Sequence, residues 1–235
     1  MNTMPKSLVI IPTYNEEENI LKLVEHLLSI NLGLDVLVVD DGKDHTSALI
    51  ADKQKLTPHL FLIKRETKSG RGTAVLEGIK FGIAKGYDLL VEMDADFSHD
   101  PIELPALLAV ASPNRVVIGS RYLKESKIVN WPLRRRIFSR CANFYAGIIL
   151  GIGITDYTNG YRVYARDAAE KIDFSHIKST GYVVLSEIAY QLFRKGVEFR
   201  EVPTIFVNRS RGVSNFSLKE IKEAFLSVIR IRFDY

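Results

Sequence analysis

Apolar and polar positions follow two different periods along the first half of the chain. Short runs rich in Val, Ile and Leu predict strands at residues 8–12, 35–41, 60–65, 89–94 and 116–120. Several of these runs are apolar on both faces, as is typical of parallel strands in the centre of a sheet. Apolar residues three and four positions apart predict helices at 16–30, 47–55, 73–85 and 102–111. This alternation predicts an α/β fold of three αβα layers with a mostly parallel central sheet.

Longer helical segments follow residue 120. The pattern predicts an arginine-studded helix at 131–152, a loop at 155–166 that leads to a short strand, a helix at 181–195, and a strand pair or hairpin at 197–207. Near the end, a basic amphipathic helix carries the apolar stripe Leu218, Ile221, Phe225, Val228 and Ile229. Such a helix either packs on the domain, lies in a lipid interface or binds a membrane partner. We predict one domain over 1–215 and this helix over 216–235.

The charge of the chain is unevenly distributed around a net value of +4. Residues 1–114 hold 11 Lys and Arg against 17 Asp and Glu, whereas residues 115–166 hold 10 against 2. The basic segment also contains the longest uncharged run, 141–155. Basic charge beside apolar surface suits an anionic lipid interface or a phosphorylated apolar ligand. No nucleic-acid partner is expected, because the long uncharged run does not resemble a nucleic-acid-binding groove. The simplest alternative is a solvated basic face.

Targeting signals and disulfide bonds are not expected. Cys141 is the only cysteine, which excludes an internal disulfide and favours a reducing compartment. The N-terminal apolar run at 8–12 is shorter than the core of a signal peptide. The 15 uncharged residues of 141–155 fall short of the ~20 that a membrane-spanning helix needs. The sequence therefore predicts a chain in the cytosol or on a membrane surface, with no signal peptide and no transmembrane helix.

Polar residues follow the carboxyl ends of four predicted strands. Asp94 and Asp96 come after the fourth strand, where hard carboxylate oxygens can hold Mg²⁺ or Mn²⁺ together with a diphosphate. The other ends carry the segments 12–16 (PTYNE), 40–42 (DDG), and Arg65 with 70–73 (GRGT). Each segment also has a purely structural explanation as a helix cap, a turn or a flexible corner. Because the carboxyl ends of parallel strands share one edge, the four together predict a ligand site.

Nine segments together resemble a known family. In chain order they are VIIPTYNEEENI, VVDDG, RETKSGRGTAVLEGI, VEMDADFSHDP, VIGSRY, NWPLRRRIFSRCANF, DYTNGYRVY, STGYVVLSEI and EVPTIFVNRSRG. They are similar to the GT-A family 2 glycosyltransferases, most closely to dolichol- or polyprenol-phosphate mannosyltransferases. The resemblance implies a GT-A (Rossmann-like) fold and the metal-dependent, inverting transfer of a sugar from a nucleotide-sugar to a polyprenyl monophosphate.

The resemblance also implies roles for particular residues. The nucleotide-sugar would be bound by Pro12, Tyr14, Glu16, Asp40, Asp41, Gly70, Asp94, Ala95, Asp96 and Arg209. Asp94 and Asp96 would hold the Mg²⁺ or Mn²⁺ ion. The catalytic set would be Asp96, Arg121, Arg135 and Ser139, of which the last three would receive the acceptor phosphate. The chain departs from the family pattern at Lys43 and at Asn215. At Asn215 a cation for the donor phosphate is either missing or replaced by Arg211.

A phosphate acceptor makes specific demands on the protein. Its second pKa lies near ~6, so at neutral pH it is largely a dianion and needs no general base. It needs cations that orient it, and the planar guanidinium of arginine matches phosphate geometry. Arg121 and the arginines at 134–136 meet this need, and the apolar helix after them could cradle the first isoprene units.

The expected function is transfer of mannose from GDP-mannose to dolichyl or another polyprenyl phosphate. The enzyme would be peripheral at the cytoplasmic face of a membrane, where small membrane-anchoring subunits could hold it. Three alternatives stay open: a UDP-glucose-dependent polyprenyl-phosphate glucosyltransferase, a GT-A enzyme acting on a sugar or protein hydroxyl, and a nucleotide-binding module without turnover. His99, Glu187 and Trp131 each fit a structural role as well as a functional one.

Overall fold

A seven-stranded sheet forms the centre of the molecule. The computed structural model describes residues 5–208 and 218–235, with side chains of the second segment from residue 222 onwards. The strands are β1 (Ser7–Thr13), β2 (Leu34–Asp40), β3 (Leu60–Lys64), β4 (Leu89–Glu92), β5 (Arg115–Ser120), β6 (Lys127–Val129), β7 (Arg162–Ala165), β8 (Glu198–Pro203) and β9 (Ile205–Val207). The central sheet has the order β3-β2-β1-β4-β7-β5-β8, and β7 is antiparallel to both of its neighbours. The other pairs are parallel, so the predicted mostly parallel sheet is confirmed.

The helices alternate with the strands as the sequence predicts. They are α1 (Ile20–Ser29), α2 (Thr46–Gln54), α3 (Arg71–Ala84), α4 (Leu104–Ala109), α5 (Leu133–Leu150), α6 (Arg166–Ala169), α7 (Val183–Arg194) and α8 (Leu218–Asp234). A 3-10 turn, Pro101–Glu103, leads directly into α4. Helix α3 packs against β1 and β2, and α8 packs against α5 and α7. The predicted α/β architecture is confirmed.

Some element boundaries differ from the prediction because tight turns follow the strands. The helix predicted at 16–30 begins only at Ile20, because Asn15 lies in the left-handed region with a φ of 57°. The carbonyl of Glu16 then accepts hydrogen bonds from the backbone N–H groups of Asn19 and Ile20 and closes a turn before α1. Strand β4 ends at Glu92, so the paired aspartates lie in the turn beyond the sheet.

The two strands within 197–207 do not form a hairpin. Strand β8 pairs in parallel with β5 in the central sheet, whereas β9 pairs in parallel with β6 in a separate two-stranded sheet. A hairpin needs a turn that reverses the chain. Thr204 alone separates β8 from β9, and its backbone N–H donates to the carbonyl of Ser120. The chain therefore continues past the edge of β5, and β6 is a strand that the sequence analysis does not predict.

Helix α8 has one face against the domain and one face exposed. Val228 and Ile231 are buried, and the hydroxyl of Tyr145 on α5 donates to the carbonyl of Phe225 at 3.1 Å. Leu226 and Phe233 are exposed on the other face. Among the helices that the structure describes, none has both the length and the apolar character needed to cross a membrane.

Candidate functional site

The polar segments predicted to form a ligand site do meet at one edge of the sheet. The parallel register aligns Thr13 at the end of β1 with Asp40 at the end of β2, and Asp40 with Lys64 at the end of β3. Strand β4 runs parallel to β1 on its other side. The turn with Asp94 and Asp96 therefore leaves the sheet at the same edge.

A cavity of about 460 Å³ opens beside the paired aspartates. Asp94 and Asp96 line one side, and Arg121, at the end of β5, also faces the cavity. Helix α5 contributes Arg135 and Ser139. The remaining wall is largely apolar and includes Phe138, Tyr145, Ala146, Phe225 and Val228. The structure thus brings all the residues of the predicted catalytic set to one cavity.

A buried histidine holds the turn that carries the aspartates. The backbone N–H of Asp94 donates to Nδ1 of His99 at 3.2 Å, so the ring proton must lie on Nε2, which is 2.8 Å from Oδ1 of Asn159. Phe97 has a φ of 58°, and the next N–H, that of Ser98, donates to Oδ1 of Asp96 at 3.0 Å. Because His99 is fully buried with both ring nitrogens engaged, its role is structural.

Arg71 is a site residue to which the sequence analysis gives no role. Its Nε and Nη2 atoms lie 2.7 and 2.6 Å from Oδ1 of Asp94, and Nη1 lies 2.7 Å from Oε1 of the buried Glu92. Burial, the largest single effect, would raise the pKa of Asp94, but the neighbouring positive groups, led by the charge and hydrogen bond of Arg71, together keep this pKa below its usual range. Asp94 is therefore an anion with a resident counter-cation.

The two aspartates fit a divalent metal that shares its ligands with a substrate. Carboxylate oxygens are the hard ligands that Mg²⁺ and Mn²⁺ prefer. Within residues 5–208 and the described part of α8, no three or more His, Cys, Asp or Glu side chains form a metal-holding cluster. The oxygens of a diphosphate would have to complete the coordination shell, as is usual for Mg²⁺ sites that handle nucleotides.

Arg121 is locked by a buried carboxylate. Its Nε and Nη2 atoms each donate to Asp156 at 2.7 Å, and Nη2 also donates to Oγ1 of Thr158 at 2.7 Å. Burial would raise the pKa of Asp156, but the Arg121 guanidinium holds it below its usual range. The cation predicted to meet the acceptor phosphate is thus fixed in orientation, and Asp156 is a functional candidate that the sequence analysis leaves out.

Arg135 also lines the cavity, in a more open setting than Arg121. Its guanidinium carbon lies 4.4 Å from the ring centre of Trp131, and Nη1 donates to Oδ1 of Asn208 at 3.0 Å. Nε1 of Trp131 is buried and has no hydrogen-bond partner among the described residues. One turn along α5, Oγ of Ser139 accepts a hydrogen bond from the hydroxyl of Tyr122 at 2.6 Å. These groups place several hydrogen-bond donors around the same cavity wall.

The carboxylates after β2 serve mainly to build the loop edge. Asp40 is 0% exposed and accepts hydrogen bonds from Thr13 Oγ1 at 2.8 Å and Ser47 Oγ at 2.5 Å. Asp41 is paired with Arg65 and also accepts the N–H of Gly70 at 3.1 Å. Asp40 is therefore shielded in the described conformation, where it holds the loop, and its contact with the nucleotide stays a prediction.

Three other predicted nucleotide residues, Pro12, Tyr14 and Glu16, lie at the carboxyl end of β1 and do not line the cavity. Tyr14 is 43% exposed, with Nζ of Lys68 3.6 Å from its ring centre. Pro12 and Glu16 are half-buried, whereas Ala95 is buried. Arg209 and the substitute Arg211 lie outside the described residues, as does Asn215.

Glu187 has a structural role in the described conformation. Its buried carboxylate accepts the N–H of Ser179 at 2.7 Å and the hydroxyl of Tyr235 at 2.9 Å. It therefore joins the loop before α7 to the end of α8, and it does not line the cavity.

This fold and this site define a glycosyltransferase of the GT-A class. The chain belongs to glycosyl transferase family 2, whose model matches residues 8–173. It is 42% identical over 226 residues to a polyprenol monophosphomannose synthase of Mycolicibacterium smegmatis, covering 95% of this chain and 85% of that protein. It is 40% identical over 224 residues to an undecaprenyl-phosphate mannosyltransferase of Micrococcus luteus, covering 95% and 92%. The family resemblance read from the nine segments is confirmed.

A solved structure supports the fold. The crystal structure of glucosyl-3-phosphoglycerate synthase from Mycobacterium tuberculosis in complex with UDP superimposes with a TM-score of 0.65. The match covers 97% of this chain and 79% of that one, at 18% sequence identity. A Mn²⁺ complex of the same synthase also has a TM-score of 0.65. At this level of identity the likeness concerns the fold alone.

Proposed function

We propose that this protein transfers mannose, with inversion, from GDP-mannose to a polyprenyl monophosphate. The observation that carries the proposal is a single cavity lined by a metal-compatible acidic pair, Asp94 and Asp96, and by the cations Arg121 and Arg135. Two relatives, at 42% and 40% identity, bear names that combine mannose with a polyprenol or undecaprenyl phosphate. Those names favour a mannosyl transfer and a lipid phosphate acceptor for this chain as well.

On the sugar-donor side, Asp96 and Asp94 would hold Mg²⁺ or Mn²⁺ beside the diphosphate. When bound, such an ion stabilises the negative charge that gathers on the departing nucleoside diphosphate. One oxygen of each carboxylate already has a partner, since Oδ1 of Asp94 contacts Arg71 and Oδ1 of Asp96 accepts the N–H of Ser98. The predicted contribution of Arg209 belongs to this side too.

On the acceptor side, the protein would bind and orient a phosphate that needs no general base. Arg135 is the cation proposed for direct contact, because this half-buried residue lines the cavity, whereas the guanidinium of Arg121 is held by Asp156. Arg121 would add a fixed positive charge, because Asp156 keeps it from swinging away. The N–H of Trp131 and the hydroxyl of Ser139 lie along the same wall and could donate to phosphate oxygens.

The apolar wall suits the start of an isoprenoid chain. Phe138 and Tyr145 on α5 line this wall together with Phe225 and Val228 on α8, and the ring centres of Tyr145 and Phe225 lie 4.6 Å apart. A phosphate held at Arg135 would therefore leave its hydrocarbon tail against apolar side chains, where burial stabilises it by ~25 cal/mol per Å².

A membrane surface is the expected source of this acceptor. On α5 the exposed residues Leu133, Ile137, Phe144 and Ile148 fall on one side of the helix, and Arg134, Arg136 and Arg140 flank them. Apolar side chains between arginines match an interface with anionic headgroups. Leu226, Ile229 and Phe233 on the adjacent α8 extend this exposed surface.

A donor and acceptor screen tests the proposed function. Purified protein with Mg²⁺ or Mn²⁺ is incubated with a short polyprenyl phosphate and with labelled GDP-mannose or UDP-glucose. We expect a lipid-linked product from GDP-mannose, and its loss by at least ~100-fold in Asp96→Asn, because a ligand of the leaving-group cation is removed. If only UDP-glucose gave product, the proposed donor would be wrong. If the sugar were transferred to a sugar or protein hydroxyl, the proposed acceptor would be wrong. No product from any donor would refute the proposal.

A further inference from the structure

Arg71 occupies an unusual place for a cation. It is the first residue of α3, and the positive end of the helix dipole disfavours a positive side chain there. The side chain turns into the protein and lies between Glu92 on β4 and Asp94 beyond it. Burial would lower the pKa of Arg71, but these two carboxylates outweigh burial and raise it, so the group stays charged.

The surroundings of the guanidinium are built around it. A Cβ added at Gly160 would overlap Nη2 of Arg71, so the absence of a side chain at Gly160 is what admits the guanidinium. On another side, the ring centre of Tyr182 lies 5.4 Å from Cζ of Arg71. Gly160 and Tyr182 both line the cavity. The ion pair with Asp94 is therefore an enclosed feature of the cavity wall and not a passing surface contact.

This arrangement affects how a free metal ion meets the paired aspartates. A divalent cation on Asp94 must either displace Arg71 from Oδ1 or use the remaining oxygen, which places two positive groups close together in a mostly buried site. Like charges in such surroundings repel strongly. A nucleoside diphosphate brings several negative charges and can neutralise the ion and the guanidinium at once.

We propose that Arg71 is a resident counter-cation that makes metal binding conditional on the nucleoside diphosphate. Free Mg²⁺ or Mn²⁺ then binds weakly, and the ion enters together with the diphosphate. Arg71 is a positioning residue in this scheme, because it acts through Asp94. The inference rests on the proposed function for the identity of the ligands, since it concerns how the sugar donor and its metal enter the site.

Metal binding measured without any sugar transfer tests the inference. Free Mn²⁺ is followed by its electron paramagnetic resonance signal during titration of the full chain, alone and with saturating GDP or UDP. For the natural sequence we expect either diphosphate to tighten Mn²⁺ binding by at least ~tenfold, because it removes the repulsion from Arg71. If neither GDP nor UDP changes the Mn²⁺ affinity of the natural sequence, the inference is overturned, whatever the variants show.

A charge-matched variant separates the position of the cation from the total charge. Arg71→Met combined with Glu92→Gln removes one positive and one negative group, so the net charge of the cluster is unchanged. The Glu92→Gln change also avoids leaving a buried carboxylate at position 92 without its cation. This double variant should bind Mn²⁺ alone at least ~tenfold more tightly than the natural sequence, because the repelling guanidinium is gone. Glu92→Gln alone retains Arg71 and should not show tighter binding. Unchanged Mn²⁺ affinity in the double variant would also overturn the inference.

The outcome is distinguishable from failure of the proposed function. If a diphosphate tightens Mn²⁺ binding but the protein makes no lipid-linked sugar, the inference stands and the proposed function is refuted. If the protein makes the product but binds Mn²⁺ equally tightly with and without a diphosphate, the proposed function stands and the inference is overturned.

Discussion

Arg121 and Arg135 line one cavity, but their partners give them different roles. The buried carboxylate of Asp156 holds Arg121 through two hydrogen bonds of 2.7 Å. Arg135 instead donates to the neutral side chain of Asn208 and lies over Trp131. A cation held in a buried ion pair contributes structure and a fixed field, whereas a less buried cation at the cavity wall can turn towards an incoming phosphate.

Arg135→Ala should weaken the polyprenyl phosphate acceptor. Loss of one charge-assisted hydrogen bond, about 1.5–3 kcal/mol, predicts a fall of about 10–100-fold in kcat/KM for the acceptor. The KM for the nucleotide-sugar should stay within about twofold, because the lost contact is with the acceptor. Steady-state kinetics with each substrate varied in turn measure this. Arg134→Ala, at the exposed neighbouring position, is the control, and an equal effect of both variants would remove Arg135 from the acceptor site.

Asp156→Asn should destabilise the fold, since it leaves the buried charge of Arg121 without its partner. Breaking a buried ion pair predicts a loss of about 3 kcal/mol in the free energy of unfolding, measured by urea denaturation. The pKa of Asp156 is lowered in the folded state, so its contribution is complete above the ordinary carboxyl value of about 3.9 and is lost as the pH falls below that value. The difference between the two proteins should therefore shrink in acid. Asp52→Asn, in an exposed pair with Lys55, should leave the urea midpoint unchanged.

Residue types and their positions at strand ends are enough to predict Asp94 and Asp96 as candidates, whereas Arg135 is predicted from the family resemblance and the arginine cluster at 134–136. The partners of these residues could not be predicted in the same way. Arg71 and Asp94 are 23 positions apart, and they meet only because α3 begins beside the end of β4. Likewise, Asp156 lies in the quoted segment DYTNGYRVY, but only the packing of that loop against β5 shows that it neutralises Arg121.

At the scale of elements, α3 approaches the sheet closely because glycines face the strands. A Cβ added at Gly78 would overlap Ile10 on β1, and one added at Gly82 would overlap Leu90 on β4. This packing fixes the start of α3, and therefore Arg71, relative to the paired aspartates. The helix period predicts α3, but it does not show that these glycines are contacts.

Two glycine-to-alanine substitutions should have opposite effects. Gly78→Ala improves helix propensity, yet overpacking against Ile10 should cost more and lower the free energy of unfolding by about 1–2 kcal/mol. Gly147→Ala on α5 has its nearest neighbour, Tyr157, at 3.8 Å and should raise it by about 0.5–1 kcal/mol. Thermal or urea unfolding measures both. Stabilisation by Gly78→Ala would contradict the close packing of α3.

The element order could be predicted because strand runs and helix periods are local signals. The pairing of β6 with β9 could not, because a three-residue strand has almost no local pattern and forms only where distant segments meet. The single residue between β8 and β9 likewise gives no sequence signal that distinguishes a hairpin from two separate sheets.

At the scale of the whole molecule, charge and exposed apolar surface lie on the same part of the chain. The acidic excess of residues 1–114 and the basic excess of 115–166 make the first half and the middle of the sequence electrostatically different. The exposed stripe on α5 belongs to the basic part. An anionic membrane should therefore attract the part of the molecule that carries α5.

Substitution in this stripe should release the protein from anionic vesicles. Phe144 is 71% exposed on α5, and its replacement by Glu should reduce binding to vesicles that contain phosphatidylglycerol by about 10–100-fold, since burial of such a side chain is worth about 1.5–3 kcal/mol. Vesicle sedimentation measures the bound fraction. Leu56→Glu, at an 85% exposed apolar position after α2, is the matched control and should have no effect. Equal loss in both variants would contradict a specific membrane face.

The configuration of the product at the anomeric carbon tests the central claim most directly. A phosphate held on the arginine side of the cavity must attack the sugar from the side opposite the departing diphosphate. Nuclear magnetic resonance of the lipid-linked sugar made from GDP-α-mannose should therefore show the β configuration. An α-linked product, or a product whose phosphate comes from the nucleotide, would contradict the arrangement of acidic pair and arginines across one cavity.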